Sequence, residues 1–461
     1  LQHTDESLGK PVSSESSALS AKGELSSDII DDVVGSLVMG FDPTYGGFGD
    51  QPKFPQTDAL ELALAQYWYS GDGGLLTIVT KTLDRMAAGG IYDHEGGGFF
   101  RYSTTRDWSV PHYEKLCDDN ARLLTVYAHA YQVTGRERYK QLIGEIVGYV
   151  GANLSDHENG GFYGSQDADE EYYKLPKSSR LNRKPPYVDK TIYTNWNGLM
   201  ISAYLEAAPI IDGESLRQFA LKTVDRLLRE AYSSKKNSMH HYLSEGTPHL
   251  QGLLTDQVAF GQALVDAYQS TGDSKYLRYA GELVRYLNET LLDRKSGGYC
   301  DSPHGANSLG YLKRPAKPLD ENSMAAALLA RLYHINDDDA YIQMAKSTLE
   351  SLAGEYRNYG YVAATYALAV DLFVNEATQI VVVGRKSDPL AQLLHQESLR
   401  AYVPRKLVIP LDPSTDATNV SRLGYPTNTG SQAYVCVGKT CLPPVTNPAE
   451  ISHQLARFRK T

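Results

Sequence analysis

No run of about 20 apolar residues occurs in this 461-residue sequence, so no segment is expected to cross a membrane as a helix. Cysteine is scarce, with four copies, which rules out a disulfide scaffold and makes a reducing, cytoplasmic compartment the expected one. Cationic excess is missing too: 45 Lys and Arg stand against 55 Asp and Glu, a net charge of -10. That balance excludes a protein relying on the clustered positive charge that nucleic-acid binding requires. The chain opens on Leu1 and not on methionine, so it is read as a fragment or processed product, and a missing leader segment excludes little. Phenylalanine and tryptophan are few, at 10 and 3, whereas tyrosine reaches 33. Tyrosine joins apolar area to a hydroxyl that needs a partner, which suits half-buried helix contacts or a cavity lined with rings and hydroxyls.

Hydrophobic residues make up 42% of the chain, enough for a large core, and the length admits two or three domains. Two internal repeats organise it. The first is Asp-x-x-x-Gly-Gly-aromatic, at Asp42 to Phe48, Asp93 to Phe99, Asp156 to Phe162 and Asp293 to Tyr299. Paired glycines permit a tight turn with positive φ, after which the aromatic residue opens an extended, packable segment. The last interval is about twice the others, so a decayed copy is expected near Tyr232 to Tyr242. The second repeat is Tyr-x-x-[Ser/Thr]-Gly, ending at Gly71, Gly135 and Gly272, and it reads as a helix closed by a C′ glycine.

Placing helices around these markers gives about twelve, at roughly 27–40, 57–70, 73–88, 115–134, 136–154, 197–212, 214–231, 255–271, 273–292, 320–335, 338–356 and 361–374. Apolar residues recur at helical spacing within them, as Leu123, Val126, Tyr127 and Ala130 do. Short turns alternate with long loops, so the helices form antiparallel pairs. Six pairs can close into an (α/α)6 toroid, and an open superhelical stack is the alternative. After Val374 short β-branched runs begin, at Gln379 to Gly384, Lys406 to Pro410 and Ala433 to Val437, which indicates a small α/β appendage. The expected division is a flexible tail over 1–25, a toroid over 26–375 and an α/β subdomain over 376–461.

Counting back sixteen positions from the short turns reaches Asp119, Asn197, Asp256 and Asp320, which places them on one rim of the ring. Each is also a favoured N-cap, so capping alone can account for the register. The densest polar segment runs from Tyr92 and Asp93 through Arg101, Tyr102, His112 and Glu114 to Asp119. Asp167 and Asp169 belong to a second cluster, Gln166 to Glu171, whose spacing matches no calcium loop, and no metal or other cofactor is expected.

Several segments carry a family resemblance. They are Gly98 to Tyr102, Asp107 to Lys115, Asp119 to Ala121, Phe41 to Asp42, Gly46 to Gly49, Pro52 to Pro55, Asp167 to Asp169 and Thr194 to Met200. From about residue 40 to its end the chain resembles the family of YyaL-type bacterial proteins and spermatogenesis-associated protein twenty. The resemblance implies a thioredoxin-like domain followed by a toroid akin to N-acylglucosamine 2-epimerases and six-hairpin glycosidases. The chain departs from that pattern by lacking the thioredoxin-like part, so a redox role tied to it is not carried over.

Two functions follow. The first is a carbohydrate-active protein, either a sugar epimerase or isomerase or a glycosidase-like hydrolase. Its acid and base candidates are His112, Glu114 and Asp119; Lys53, Asp93, Arg101, Tyr102, Asp167, Asp169, Trp196, Asn197 and Asp256 would hold the ligand. The related epimerases use paired histidines on inner helices, and no such pair is evident here. The second is a non-catalytic ligand- or protein-binding module that partners a thioredoxin-like domain. Cys436 and Cys441 flank a turn and are expected to be reduced packing residues, with pairing across a hairpin as the alternative, and Cys117 is expected in the core.

Overall fold

The Gly-Gly-aromatic repeat folds four times into the same loop. In the computed structural model, which describes residues 23–303, 316–426, 430–438 and 440–459, the Asp42 N–H donates to the Gly47 carbonyl and the Gly46 N–H to the Asp42 carbonyl. Asp93, Asp156 and Asp293 repeat both bonds with their own glycines. Every glycine of these pairs has φ between 71° and 110°, which other L-residues rarely adopt. Each aspartate then takes a cation: Lys53 and Arg106 on Asp42, Lys115 and Arg180 on Asp93, Arg226 on Asp156, and Lys317 on Asp293. Near Tyr232 to Tyr242 a hairpin, with strands Tyr232–Ser233 and Ser238–Ser244, stands where the decayed copy was expected.

Helices α1 (Ser27–Gly40), α2 (Thr57–Ser70), α3 (Gly73–Ala88), α4 (Cys117–Thr134) and α5 (Glu137–Asn153) begin the ring. Two single-turn helices, α6 (Glu170–Tyr173) and α7 (Lys177–Arg180), lie in the loop before α8 (Thr194–Ala207). Then come α9 (Glu214–Glu230), α10 (Leu254–Thr271), α11 (Lys275–Tyr286), α12 (Leu319–Asn336), α13 (Asp339–Glu350) and α14 (Ala364–Val374). The even-numbered α2, α4, α8, α10, α12 and α14 pack side by side in that order, and α14 returns to α2. The ring is therefore closed, a mainly α toroid with α1, α3, α5, α9, α11 and α13 outside it. Gly71, Gly135 and Gly272 end α2, α4 and α10 in the left-handed region and donate their N–H to the carbonyls of Tyr67, Tyr131 and Tyr268. This explains the second repeat. The helix expected over 273–292 finishes in a π turn, Leu287–Leu291, and α13 stops at Glu350, short of the expected 356.

One amide side chain locks each of four loops to the inner helix that follows it, whereas the Asp42 loop is held through the Gly47 N–H, which donates to Thr82 Oγ1 of α3. Asn120 Oδ1 accepts from the Phe99 N–H, and its Nδ2 donates to the carbonyls of Phe99 and Leu116. Asn197 does the same for Phe162, Gln257 for Met239 and Asn322 for Tyr299. Met239 thus occupies, in the decayed copy, the place of the aromatic residue. All four amides are fully buried, and each satisfies backbone groups that burial would otherwise leave unpaired.

Beyond α14 the chain forms a four-stranded sheet ordered Thr440–Cys441, Gln432–Val437, Thr378–Val383, Lys406–Leu411. The last two strands are parallel and are joined by α15 (Pro389–Arg400); α16 (Ala417–Arg422) and α17 (Glu450–Ala456) complete the unit. One face, with Val381, Val383, Leu407 and Ile409, merges with the core of the ring, and the other, with Ile380 and Val382, lies under Leu394, Ile451 and Leu455. Cys436 and Cys441, expected to be reduced, are cross-strand partners joined in a disulfide. Cys117 is buried and free, as expected.

This unit closes the ring at the C-terminal ends of the inner helices. Tyr69 donates to the Pro404 carbonyl, Gln132 to Arg400, and Gln379 to His334. Arg400 bonds the Pro209 carbonyl, Gln269 accepts from Val408, and Arg405 pairs with Asp371 at 2.7 Å. Each of the six inner helices, or the turn that ends it, thus grips the floor.

Candidate active site

The open end of the ring is the end where every inner helix begins. The third residues of α4, α8, α10 and α12 are Asp119, Trp196, Asp256 and Glu321, and the clamping amides Asn120, Asn197, Gln257 and Asn322 follow them. The rim is therefore in register, but the register expected from the turns slips by one at two points. The turn after α8 is longer than the others, and α12 is closed by a left-handed Asp337 and not by Asn336. Asn197 is consequently a clamp and Asp320 lies one place before the rim position, which Glu321 fills.

Carboxyl groups at this mouth hold protons unusually well. Burial, reinforced by neighbouring Asp118, pushes Asp119 up to about 8, and its Oδ2 is buried with no protein donor. Asp118 is raised for the same first reason, while Arg122 opposes the shift. Burial also lifts Glu321 to about 7, with Asp301 and Asp256 adding repulsion. Arg122 reaches from α4 to Asp58 of α2 at 3.2 Å and feels Asp320 beyond it.

Asp256 and His241 form a dyad. The Asp256 side chain is fully buried, and His241 Nδ1 lies 3.0 and 3.1 Å from its two oxygens. Burial raises Asp256 to about 6 against the pull of His241, and the bond to Asp256 raises His241 above the ordinary imidazole value. The buried carboxylate fixes Nδ1 as the protonated nitrogen and leaves Nε2, which has no protein partner among the described residues, free to act on a ligand. Tyr193 packs against both Trp196 and His241, with ring centroids 4.7 and 5.7 Å away. In ring order the adjacent helices α4, α8 and α10 thus begin with Asp119, Trp196 and Asp256, the last paired with His241 of the hairpin strand Ser238–Ser244.

The loop before α4 forms the lip. His112 Nε2 stands 3.6 Å from Glu114 Oε2, Arg101 approaches the same oxygen at 3.5 Å, and the Tyr102 ring stacks on His112 at 5.0 Å. Arg101 and Glu114 lie close enough to act electrostatically on Asp119. Three expected ligand contacts are instead spent within the protein. Lys53 is fully buried on Asp42 and the Arg106 carbonyl, Asp93 is buried between Lys115 and Arg180, and Asn197 is committed to its loop. Asp169 caps α6 through the Tyr172 N–H, and Asp167 is exposed with its N–H on the Tyr187 carbonyl. Sequence reasoning passed over His241 because it lies in the decayed repeat, and Glu321 because the register had slipped.

No family model matches the chain. Among curated proteins it is 25% identical to spermatogenesis-associated protein 20 of Homo sapiens and 24% identical to that of Rattus norvegicus, each over 89% of this chain and 67% of the relative. The relationship bears out the resemblance read from the motifs. A stretch of 75 residues is 37% identical to a cellobiose 2-epimerase of Bacteroides fragilis, covering 16% of this chain and 19% of that protein. Among solved structures, the cellobiose 2-epimerase of Spirochaeta thermophila matches with a TM-score of 0.60 at 15% identity, over 75% of this chain and 94% of that one. A D-mannose isomerase matches at 0.59 and 13%, over 74% and 97%. A family 76 alpha-mannanase of Bacteroides thetaiotaomicron matches at 0.53 and 12%, over 75% and 94%. These likenesses establish the shared toroid.

Proposed function

We propose that this relative of the spermatogenesis-associated protein 20 proteins is a sugar isomerase or epimerase whose reaction takes place at the mouth of the ring. The observations that carry the reading are a buried Asp119 that holds its proton on α4 and a His241 oriented by Asp256, which stands at the equivalent place on α10. Isomerising an open-chain sugar needs a base for the carbon-bound hydrogen beside the carbonyl and an acid for the carbonyl oxygen. Neutral His241 takes that proton on Nε2 while Asp119 gives its own to the oxygen, leaving an enediol. His241 returns its proton to the other carbon, or to the first carbon after the enediol has turned its other face, while the enediol hydroxyl gives a proton back to Asp119 and the product leaves. Trp196 supplies the apolar face against which the carbon skeleton lies.

The carbohydrate enzymes that share the toroid support this reading by analogy of fold, and the mouth supplies the chemistry. A specific observation also favours glycoside hydrolysis: Asp119 and Glu321 occupy equivalent places on α4 and α12, which face each other across the ring. Glycoside hydrolysis uses two carboxyl groups, one of them held protonated as the acid. The two readings part on their products.

Incubating the protein with reducing sugars and with disaccharides, and resolving the products by chromatography, tests the proposal. Conversion of a reducing sugar to an isomer is expected, falling by a factor of about 100 or more in both Asp119→Asn and His241→Gln. Cleavage of a glycosidic bond without isomerisation moves the function to the hydrolase. Binding without turnover for every sugar leaves the non-catalytic module.

A further inference from the structure

The hairpin that carries His241 has a second face. Its strands Ser238–Ser244 and Thr247–Gln251 pair with each other, and the short strand Ile192–Tyr193 pairs with the first of them. Ile192 and Leu243 lie opposite each other and are buried, so one face of this small sheet packs on the core. Tyr193, Tyr242 and His249 are the neighbouring register partners and share the other face, one ring from each strand. All three are half-buried. The Tyr193 and Tyr242 ring centroids are 6.1 Å apart, and His249 stacks on Tyr242 at 4.9 Å with an interplanar angle of 19°. At its inner end the row meets the mouth, because Tyr193 packs against both Trp196 and the ring of His241.

Cross-strand rings stabilise a hairpin whatever else they do. The polar atoms of this row go beyond that role. Tyr127, Tyr139 and Tyr366, deep between helices, spend their hydroxyls on the Leu83 carbonyl, Asp84 and the Leu349 carbonyl. Among the described residues no hydrogen bond engages Trp196 Nε1, the Tyr242 hydroxyl or either nitrogen of His249. A row of half-buried rings with unspent polar atoms suits a saccharide, whose C–H faces lie on the rings while its hydroxyls bond at their edges. Resting on the reading that a sugar reacts at the mouth, we propose that this row extends the site to an oligosaccharide. The reducing unit lies at His241 and Asp119, and the units behind it run along Tyr193, Tyr242 and His249. The substrate class is then a reducing saccharide of two or more units, in preference to a free monosaccharide.

Calorimetric titration with reducing saccharides from mono- to pentasaccharide, in β-1,4-glucose, β-1,4-mannose and α-1,4-glucose series, tests this, with the products of each incubation resolved by chromatography. In at least one series affinity is expected to rise about fivefold for each unit that reaches a ring, roughly 1 kcal/mol, and to level off once the row is covered. Tyr242→Leu and His249→Leu keep an apolar cross-strand contact without an aromatic face, and each should remove about one such increment. Tyr242→Phe keeps the face and should keep the increment. A monosaccharide and its longer homologues binding equally in the unmodified protein would overturn the subsite and leave the sugar reading standing. Length dependence undiminished in both leucine variants would do the same. Length dependence lost in those variants, with no member of any series isomerised, would uphold the subsite and remove the isomerase reading. No saccharide binding at all would overturn both.

Discussion

Asp119 keeps its proton near neutrality because burial disfavours its charged form and Asp118 stands beside it, with Arg101 and Arg122 opposing the shift only in part. A group with so high a value serves as an acid until the pH passes about 8, whereas His241 serves as a base only after losing its own proton. The rate should therefore climb as His241 deprotonates, above the usual imidazole range, and fall again as Asp119 ionises near 8. A pH–rate profile checks this, and Asp119→Asn should abolish the descending limb together with most of the rate. His129 behaves differently. Burial lowers its pKa, but flanking Glu61 and Glu206 outweigh burial and raise it to about 10. Its pairing stabilises the fold fully below the unfolded value near 6.5, and that stability drains away as the pH rises toward 10. His129→Gln leaves two carboxylates without their cation and should cost about 3 kcal/mol or more in urea unfolding at pH 7.

At the scale of the element, the loops and inner helices owe their registration to single amides. Asn322→Ala removes three hydrogen bonds and strands the Tyr299 N–H in a buried site, so a loss of about 2–4 kcal/mol is expected, measured by urea unfolding. Asn322→Gln, one methylene longer, should lose nearly as much, because loop and helix are already in contact. The helices themselves were legible in the sequence, since their glycine caps and apolar spacing are local signals. The four Gly-Gly loops were legible for the same reason. The amide clamps were not, because Asn120 and Asn197 resemble ordinary polar residues of a helix start until their loop partners, 21 and 35 residues earlier, are brought against them. The same limit misplaced Lys53 and Asp93. A lysine and an aspartate near a polar mouth suit a ligand equally well until burial shows them paired with Asp42 and with Lys115.

For the whole molecule, closure of the ring and its blind floor decide what the mouth can do. Six inner helices start at one end, so their first turns gather Asp119, Trp196, Asp256 and Glu321 around a single opening. The other end is sealed by contacts from every inner helix to the C-terminal unit. Arg405→Ala leaves Asp371 buried without its cation and should loosen this seal, lowering the melting temperature by several degrees. A toroid was readable from the repeats, but the sealing role of the last 85 or so residues was not, because it depends on pairs such as Tyr69 with Pro404, 335 residues apart. The central claim is that His241 and Asp119 move protons on a sugar bound at that opening. Incubation with a panel of reducing sugars in D₂O, followed by proton NMR at the carbon beside the carbonyl, tests it most directly. The account predicts that the unmodified protein exchanges this hydrogen for deuterium in at least one sugar, and that His241→Gln and Asp119→Asn each slow the exchange about 100-fold or more. Exchange that persists undiminished in both variants, or that occurs with no sugar at all, would contradict it.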